Sequence, residues 1–286
     1  MHNNSQVYFS ADKSNAIELP GLLYFLTFAN NNYMSTQRIA NEAKSFKMFD
    51  FIVSKSDTDI SDYLSKHSDF IRRESYGFGR FIWKPKVIFD LLESVNDDDI
   101  ILYSDAGTHF NVGGIERFHY YLSTILKDKE MCVFSSNDKY KPVYFCKSDC
   151  IMSYYPDFHK DIELYPEVNK YCYAGLLLIR KTPNTVQLVR EWLSLCENYH
   201  FLDCSSSNIY PEKSHFVGQD ADNGILNICL VKFKNIVNII YPDEVCLYVG
   251  DKQVHQTNTN LNTLDWSLLN DKPFQCRRMT PKFNFT

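Results

Sequence analysis

The sequence has no long hydrophobic run, no basic leader and no excess of positive charge. Its longest apolar stretch, Gly21 to Ala29, is far shorter than the roughly 20 apolar residues that span a bilayer. The segment from Met1 to Glu18 is polar and lacks the basic and apolar regions of a secretory signal. A formal net charge of −5 argues against an electrostatic grip on nucleic acid. We therefore expect a soluble, cytoplasmic protein without a transmembrane segment or a nucleic-acid partner, and peripheral association with a membrane stays open.

Paired cysteines and phosphate-loop glycines are also missing. The nine cysteines are scattered without a CxxC pair, so neither a disulfide framework nor a zinc cluster is indicated. Cys146 and Cys150 are the closest pair, and two thiols alone do not make a structural zinc site. The Walker spacing of glycines, lysine and serine is absent, which excludes a P-loop nucleotide site.

What the sequence does contain is an alternation of apolar strands and amphipathic helices, which predicts an α/β fold with a mostly parallel central sheet flanked by helices. We expect strands at 21–28, 49–54, 131–135, 173–179 and 245–249, and in the run that ends at Asp105. We expect helices after Ser35 and Thr36, from Lys84, at 115–126, at 185–197 and after Asp220. The polar segment 56–75 is expected to be irregular with a short helix. The predicted organisation is a polar segment at 1–18, one domain at 19–257 and a C-terminal tail at 258–286 that packs on the domain.

The run Asp99-Ile-Ile-Leu-Tyr-Ser-Asp105-Ala-Gly107 is an apolar strand that ends in a single carboxylate on a glycine turn. In α/β sheets such an acid lies at the carboxyl edge, where ligands bind. It can hold a hard divalent cation beside a diphosphate, or it can simply cap the next turn.

Two further segments carry candidate chemistry. Gly77-Phe-Gly79-Arg80-Phe-Ile-Trp83-Lys84-Pro85 combines glycines, two cations and a helix start, a set that suits phosphate oxygens or, alternatively, an ordinary turn with a core tryptophan. Asp220 and Asp222 lie near a later helix start, where they can bind sugar hydroxyls, act as a base or cap the helix.

These features occur in the order found in GT-A fold glycosyltransferases. Tyr103-Ser-Asp105-Ala-Gly107 resembles their Y-L-D-A-[DG] strand end, in which the Asp belongs to the metal- and nucleotide-binding DxD motif. The segment from Gly77 to Pro85 is similar to the G-[YF]-G-x-W-x-W-K-P run of bacterial and viral capsule or lipopolysaccharide-type transferases.

Two later motifs extend the resemblance, which spans roughly Leu22 to His255. Tyr173-Ala-Gly175-Leu-Leu-Leu-Ile179 is similar to the NAGxxLI strand of glycogenin-like retaining transferases. Asp222-Asn223-Gly-Ile-Leu falls where such families carry D-Q-[DS]-I-L, although Gln219-Asp220 offers an alternative alignment.

The resemblance implies a single Rossmann-like GT-A domain and a transferase, of the hexosyltransferase kind, that serves polysaccharide biosynthesis. The donor would be a UDP- or GDP-sugar, and the acceptor a glycan, lipid-linked or protein hydroxyl. The catalytic residues implied are Asp222, Asp220 and Lys84, with Lys84 stabilising the charge of the leaving group and Asp222 orienting the donor or deprotonating the acceptor. The donor-binding residues implied are Thr27, Phe28, Ala29, Ser54, Gly79, Arg80, Lys84, Asp105, Ala106, Gly107, Gly175 and Asn223.

The resemblance also implies Mn²⁺ or Mg²⁺, held by Asp105 and His255. This chain departs from the family pattern at Gly107, where a full DxD has its second acid, and His109 is a local substitute. Asn223 replaces the usual Gln, and Tyr173 stands where many relatives have Asn. Retaining and inverting mechanisms both stay open, as do two other functions: a non-catalytic nucleotide-sugar-binding protein and a nucleotidyltransferase.

Overall fold

Strands of alternating side-chain direction build a mixed sheet that carries a hydrophobic core on each face. The computed structural model describes residues 6–9, 17–30, 36–135, 140–240, 248–249, 252–253 and 270–275. The strands formed by these residues are β1 Gln6–Phe9, β2 Leu23–Phe28, β3 Phe51–Lys55, β4 Ile100–Ser104, β5 His109–Phe110, β6 Met131–Ser135, β7 Cys172–Arg180, β8 Val237–Ile240, β9 Tyr248–Val249, β10 Lys252–Gln253 and β11 Phe274–Gln275.

The main sheet of the described residues has seven strands in the order β1-β3-β2-β4-β7-β6-β8. Parallel pairing joins β3 to β2, β2 to β4, and β6 to β8. Because β7 is antiparallel to both β4 and β6, and β1 is antiparallel to β3, the other five strands point the same way. Two small antiparallel pairs lie outside this sheet, β9 with β10 and β5 with β11. The α/β class with a mostly parallel sheet is therefore confirmed.

Helices cover both faces of the sheet. Those in the described residues are α1 Gln37–Ser45, α2 Ser61–Lys66, α3 Ser68–Arg73, α4 Gly77–Arg80, α5 Trp83–Ser94, α6 Ile115–Lys127, α7 Ser148–Tyr154, α8 Phe158–Leu164, α9 Pro183–Glu197, α10 Tyr199–Leu202 and α11 Ala221–Lys232. Along β4, Ile100 and Leu102 pack with α1 and α6, whereas Ile101 and Tyr103 pack with α5, α9 and α11. This alternation is the period of two that a strand imposes. None of these helices combines the length and apolar character that a membrane span requires.

The segment 56–75 differs from the sequence expectation, because it is largely helical. A 3-10 turn at Asp57–Ile60 leads into α2 and α3. Each of these two short helices buries one side chain, Tyr63 in α2 and Phe70 in α3. An apolar stripe this thin leaves almost no periodicity to detect.

The predicted divisions at 18 and 257 stay predictions. Residues 270–275 include β11, which pairs with β5 at Phe274 and Phe110. The strand expected at 245–249 is described only at Tyr248–Val249. Ser35, one of the two expected helix caps, lies outside the described residues.

Candidate active site

Asp105 and Lys84 meet at the carboxyl edge of the sheet. Asp105 follows the last residue of β4, and Lys84 lies in the first turn of α5. The Lys84 Nζ is 3.2 Å from Asp105 Oδ1, and the Lys84 side chain is only 4% exposed. Two phenols also donate to the carboxylate: Tyr103 OH to Oδ1 at 2.8 Å and Tyr173 OH to Oδ2 at 3.2 Å. The acid therefore sits in a dense set of donors.

A left-handed turn delivers Lys84 to this place. The five residues from Gly77 to Phe81 all have positive φ, from +53° at Arg80 to +82° at Gly79. A left-handed conformation costs a non-glycine residue roughly 1–2 kcal/mol, so the turn stores strain at its three side-chain-bearing positions. Trp83 Nε1 holds the turn by donating to the Gly77 carbonyl at 3.1 Å.

Arg80 ties this turn to the far side of the site. It is 6% exposed, and its guanidinium donates to the carbonyls of Leu202 at 2.8 Å and Gln219 at 2.7 Å. A buried guanidinium needs such acceptors, because an unpaired buried charge is strongly destabilising. The bonds fix the segment that precedes α11 against the start of α5.

Asp222 completes a cluster of two carboxyl groups and one lysine ammonium group. It lies in the first turn of α11, its side chain is 2% exposed, and its Oδ2 is 3.7 Å from Lys84 Nζ. Within the described part of the chain, this oxygen is buried without a hydrogen-bond partner. Asp220, just before the helix, accepts from Tyr171 OH at 2.5 Å and from Asn223 Nδ2 at 3.2 Å.

Two asparagines hold α11 against the start of β7. Asn227 Oδ1 accepts from the Cys172 N–H at 2.7 Å, and its Nδ2 donates to the Cys172 carbonyl at 3.0 Å. Asn223 Oδ1 accepts from the Ala174 N–H at 2.9 Å. The register between β6 and β7 shifts here, between Val133 and Ser135. The amides thus satisfy backbone groups at the irregular end of the ladder and place Asp222 beside Asp105.

Burial dominates the electrostatics of the cluster. It raises the pKa of Asp222 to about 7, with Lys84 opposing the shift and Asp105 adding to it. Burial and the neighbouring Asp105 carboxylate raise the pKa of Tyr103 well above its usual range, so this phenol is a donor at neutral pH. A carboxyl group that titrates near neutrality suits proton transfer.

A cavity of about 520 Å³ opens beside these groups, within the usual size of a small-molecule site. Lys84, Gly175, Asp220, Asp222 and Asn223 line it. Six aromatic side chains also line it: Tyr76, Phe81, Tyr140, Phe145, Tyr171 and Tyr173. The cavity offers a ligand broad aromatic faces and a few charged groups.

Four of the residues predicted to bind the donor lie at the ends of β2 and β3 or directly after β2. Thr27 and Ser54 are register partners at the ends of β2 and β3, and their buried hydroxyls have no hydrogen-bond partner among the described residues. Phe28 stacks on Trp83 with ring centroids 4.1 Å apart. The Ala29 N–H donates to the Lys55 carbonyl at 3.2 Å. These residues are outside the lining of the cavity.

The turn after Asp105 is held from behind by α1. Arg38 donates to the carbonyls of Ala106 and Thr108, the latter at 2.9 Å, and so brackets Gly107. Arg38 Nη1 also donates to both carboxylate oxygens of Glu42, at 2.8 Å each. His109 Nδ1 lies 3.1 Å from Arg38 and 3.3 Å from Glu42, so this imidazole faces the α1 pair.

The expected Mn²⁺ or Mg²⁺ site is not assembled by the described residues. No group of three or more His, Cys, Asp or Glu side chains among them is arranged to hold a metal ion. Oxygen-rich coordination is what these cations require, whereas Asp105 faces an ammonium group and two phenols. This donor set does not fit a divalent cation. His255 lies outside the described residues.

The sequence motifs do not identify three residues that the structure places at the site, Tyr103, Tyr171 and Arg38. Tyr103 and Tyr171 belong to apolar surroundings, in which a tyrosine is typical of core. Arg38 reaches the site from a helix whose sequence shows only an ordinary Arg38–Glu42 pair at i,i+4 spacing. The signal that favours the Tyr103 contact is a tyrosine two residues before an acid at a strand end, because such residues point to the same face of the strand.

No family model matches this chain, and a comparison with curated proteins also gives no match. Among solved structures, the chain has a weak likeness to mouse xyloside xylosyltransferase 1 in its apo form, with a TM-score of 0.38 and 10% sequence identity. The match covers 77% of this chain and 84% of the mouse chain.

Proposed function

We propose that this chain is a glycosyltransferase that moves a sugar from a nucleotide-sugar donor to a hydroxyl acceptor. The observation that carries the proposal is the meeting of Lys84 with Asp105 and Asp222 beside an aromatic-lined cavity, which Lys84 and Asp222 themselves help to line. The motifs that resemble GT-A transferases contribute these three residues in the order that the family would require.

The donor would lie along the carboxyl edge of the sheet. The unpartnered hydroxyls of Thr27 and Ser54 suit the polar edge of a nucleoside, since a buried hydroxyl without a partner is costly. The diphosphate would reach Lys84, whose ammonium group favours anionic oxygens. The sugar would then enter the cavity, whose aromatic faces match the apolar face of a pyranose ring.

Asp222 is the group we assign to proton transfer. Its pKa of about 7 leaves a large ionised fraction at neutral pH, and its Oδ2 has no hydrogen-bond partner among the described residues. In the transfer, the bond from the anomeric carbon to the diphosphate breaks and its electron pair stays on the diphosphate. The acceptor oxygen forms the new bond and gives its proton to Asp222. A base in this role fits inversion of configuration at the anomeric carbon.

The test is a screen of UDP- and GDP-sugars for release of the nucleoside diphosphate, run in parallel with Mn²⁺ and with EDTA. We expect turnover with one donor and a loss of at least about 100-fold in Asp105→Asn, because Lys84 loses the carboxylate that positions it and a misplacement of about 1 Å can have an effect of this size. Asp98→Asn is the matched control, because Asp98 precedes the other end of β4 and is 57% exposed.

Full turnover by Asp105→Asn contradicts the proposal. Donor binding without turnover by the wild-type protein favours a non-catalytic nucleotide-sugar-binding protein instead. Release of pyrophosphate from a nucleoside triphosphate and a sugar phosphate identifies a nucleotidyltransferase.

A further inference from the structure

Lys84 is a buried cation between two carboxyl groups at the carboxyl edge of the sheet. Its ammonium group lies 3.2 Å from Asp105 and 3.7 Å from Asp222 and is almost completely buried. The Lys84 Nζ also lies over the ring of Phe81, 4.8 Å from the ring centroid. A cation in such surroundings is poorly screened by solvent and acts strongly on a charge that comes close to it.

Gly107 stands where a full DxD motif has its second acid, so this position offers a metal no side-chain ligand. Gly107 stands two residues after Asp105, and the Arg38 guanidinium holds the carbonyl groups on both sides of this glycine. Both oxygens of Asp105 already accept hydrogen bonds from phenols. A divalent cation would have to displace these donors and lie beside an ammonium group of the same sign.

We propose that Lys84 takes the place of the divalent cation, so that this chain binds and turns over a nucleoside diphosphate sugar without a metal. The inference rests on the proposed function and names the group that neutralises the negative charge of the diphosphate. When the anomeric carbon–oxygen bond breaks, the electron pair remains on the terminal phosphate oxygen of the diphosphate. The Lys84 ammonium group donates a hydrogen bond to that oxygen and keeps its own proton.

The surroundings of Lys84 support this role over a purely structural one. Lys84 lines the cavity, so a ligand in the cavity can contact it. The N-terminus of α5, a helix of 12 residues, adds the positive end of a helix dipole beside it. Asp105 and its two phenols hold the ammonium group in place before the ligand arrives, which is the preorganisation that electrostatic catalysis requires.

Calorimetric titration of the purified protein with UDP and with GDP tests the inference, once in excess EDTA and once in Mn²⁺. We expect one nucleotide to bind with the same affinity, within about threefold, under both conditions. An affinity at least tenfold higher with Mn²⁺ overturns the inference and leaves the proposed function standing. If neither nucleotide binds under either condition, the proposed function itself fails and the inference fails with it.

A charge-balanced variant separates binding from folding. Lys84→Met alone would leave Asp105 and the buried Asp222 without the cation that they share, so the variant to use is Lys84→Met with Asp222→Asn. We expect it to fold, judged by circular dichroism, and to lose about 100-fold or more of the nucleotide affinity in EDTA, because the diphosphate loses its buried charged partner. Lys86→Met is the matched control, because Lys86 lies on the same helix but pairs with Asp90. We expect this variant to bind the nucleotide with wild-type affinity. Unchanged affinity in the double variant overturns the inference.

Discussion

Gly175 packs directly against Asp105 in the candidate site. It is the register neighbour of Asp105, whose N–H donates to the Gly175 carbonyl at 2.9 Å. A Cβ atom on Gly175 would lie 2.5 Å from Asp105 Oδ2 and would also strike the end of the Tyr173 ring. Real Cβ contacts are longer, so any side chain here must move the carboxylate, the phenol or both. The glycine is thus required by close approach rather than by an unusual φ.

We predict that Gly175→Ala lowers kcat/KM for sugar transfer by about 100-fold while the protein stays folded. A displacement of about 1 Å at a reacting group commonly has an effect of this size. The new methyl group pushes Asp105 away from Lys84, because the far end of a side chain moves more easily than the backbone. Steady-state kinetics measures the loss, and thermal unfolding shows whether the fold persists. Activity within threefold of wild type would contradict the prediction.

At the scale of elements, α1 serves the site without touching the cavity. Its Arg38 reaches across to the carbonyls of Ala106 and Thr108, and Glu42 accepts from the Phe110 N–H at 2.9 Å. The turn that carries Asp105 is therefore fixed by the helix on the opposite face of the sheet from α5. A turn held at several backbone groups has little freedom to swing the acid away from Lys84.

Arg38→Ala should therefore lower kcat about tenfold or more, through a less precisely placed Asp105. We expect the effect mainly in kcat, since Arg38 contacts protein carbonyls, and we expect guanidine to restore part of the rate. Arg72→Ala provides the control: Arg72 pairs with Asp69 on an exposed helix surface, where such pairs contribute little. A change in the unfolding midpoint alone, with unchanged kcat, would show that Arg38 is only structural.

The sequence predicts some elements much better than others, for a physical reason. Strands β2, β4, β6 and β7 and helices α5, α6 and α9 are predictable because each buries a continuous run or a full stripe of apolar side chains. For the segment that forms α2 and α3, the sequence predicts only one short helix in an irregular stretch, since each of these helices buries one aromatic side chain. The left-handed turn at 77–81 is also hidden, because only its two glycines hint at positive φ. Its three other residues adopt it under tertiary constraint.

For the site, local motifs predict the acids and the lysine but not the network that joins them. Lys84, Asp105 and Asp222 each follow a recognisable strand end or begin a helix, and the structure brings these three together. The Tyr171 contact to Asp220 depends on how α11 packs against β7, which no local pattern encodes. The roles of Thr27, Ser54 and the other predicted donor-binding residues stay predictions.

Across the whole molecule, two buried carboxyl groups make stability depend on pH in opposite ways. Burial opposes ionisation of Asp149, but hydrogen bonds from His200 and from three backbone N–H groups outweigh it and hold its pKa below the usual range. Its contribution to stability is present above about pH 4 and is lost as the pH falls below that. Asp222 has its pKa raised to about 7, mainly by burial. The folded protein therefore binds a proton at Asp222 that the unfolded chain has already released.

Because the pKa of Asp222 is raised, we expect activity to rise with pH while the contribution of Asp222 to stability falls. Between about pH 4 and pH 7 the native state holds more protons at Asp222 than the unfolded state, so its contribution to the free energy of unfolding falls as the pH rises. Each unit of pKa difference corresponds to about 1.4 kcal/mol. Over the same range Asp222 ionises, so kcat/KM should rise and level off above about pH 7 if it is the base.

We predict that Asp222→Asn abolishes this rise in activity and makes the protein more stable than wild type at pH 8, with the difference vanishing toward pH 4. The asparagine cannot ionise, so it avoids the buried charge that the wild-type protein carries when it is active. Urea unfolding of both proteins from pH 4 to pH 8, beside pH profiles of kcat/KM, provides the measurement. A difference in stability that is the same at every pH would show that Asp222 does not titrate in this range, and the assignment of Asp222 as the base would fail with it.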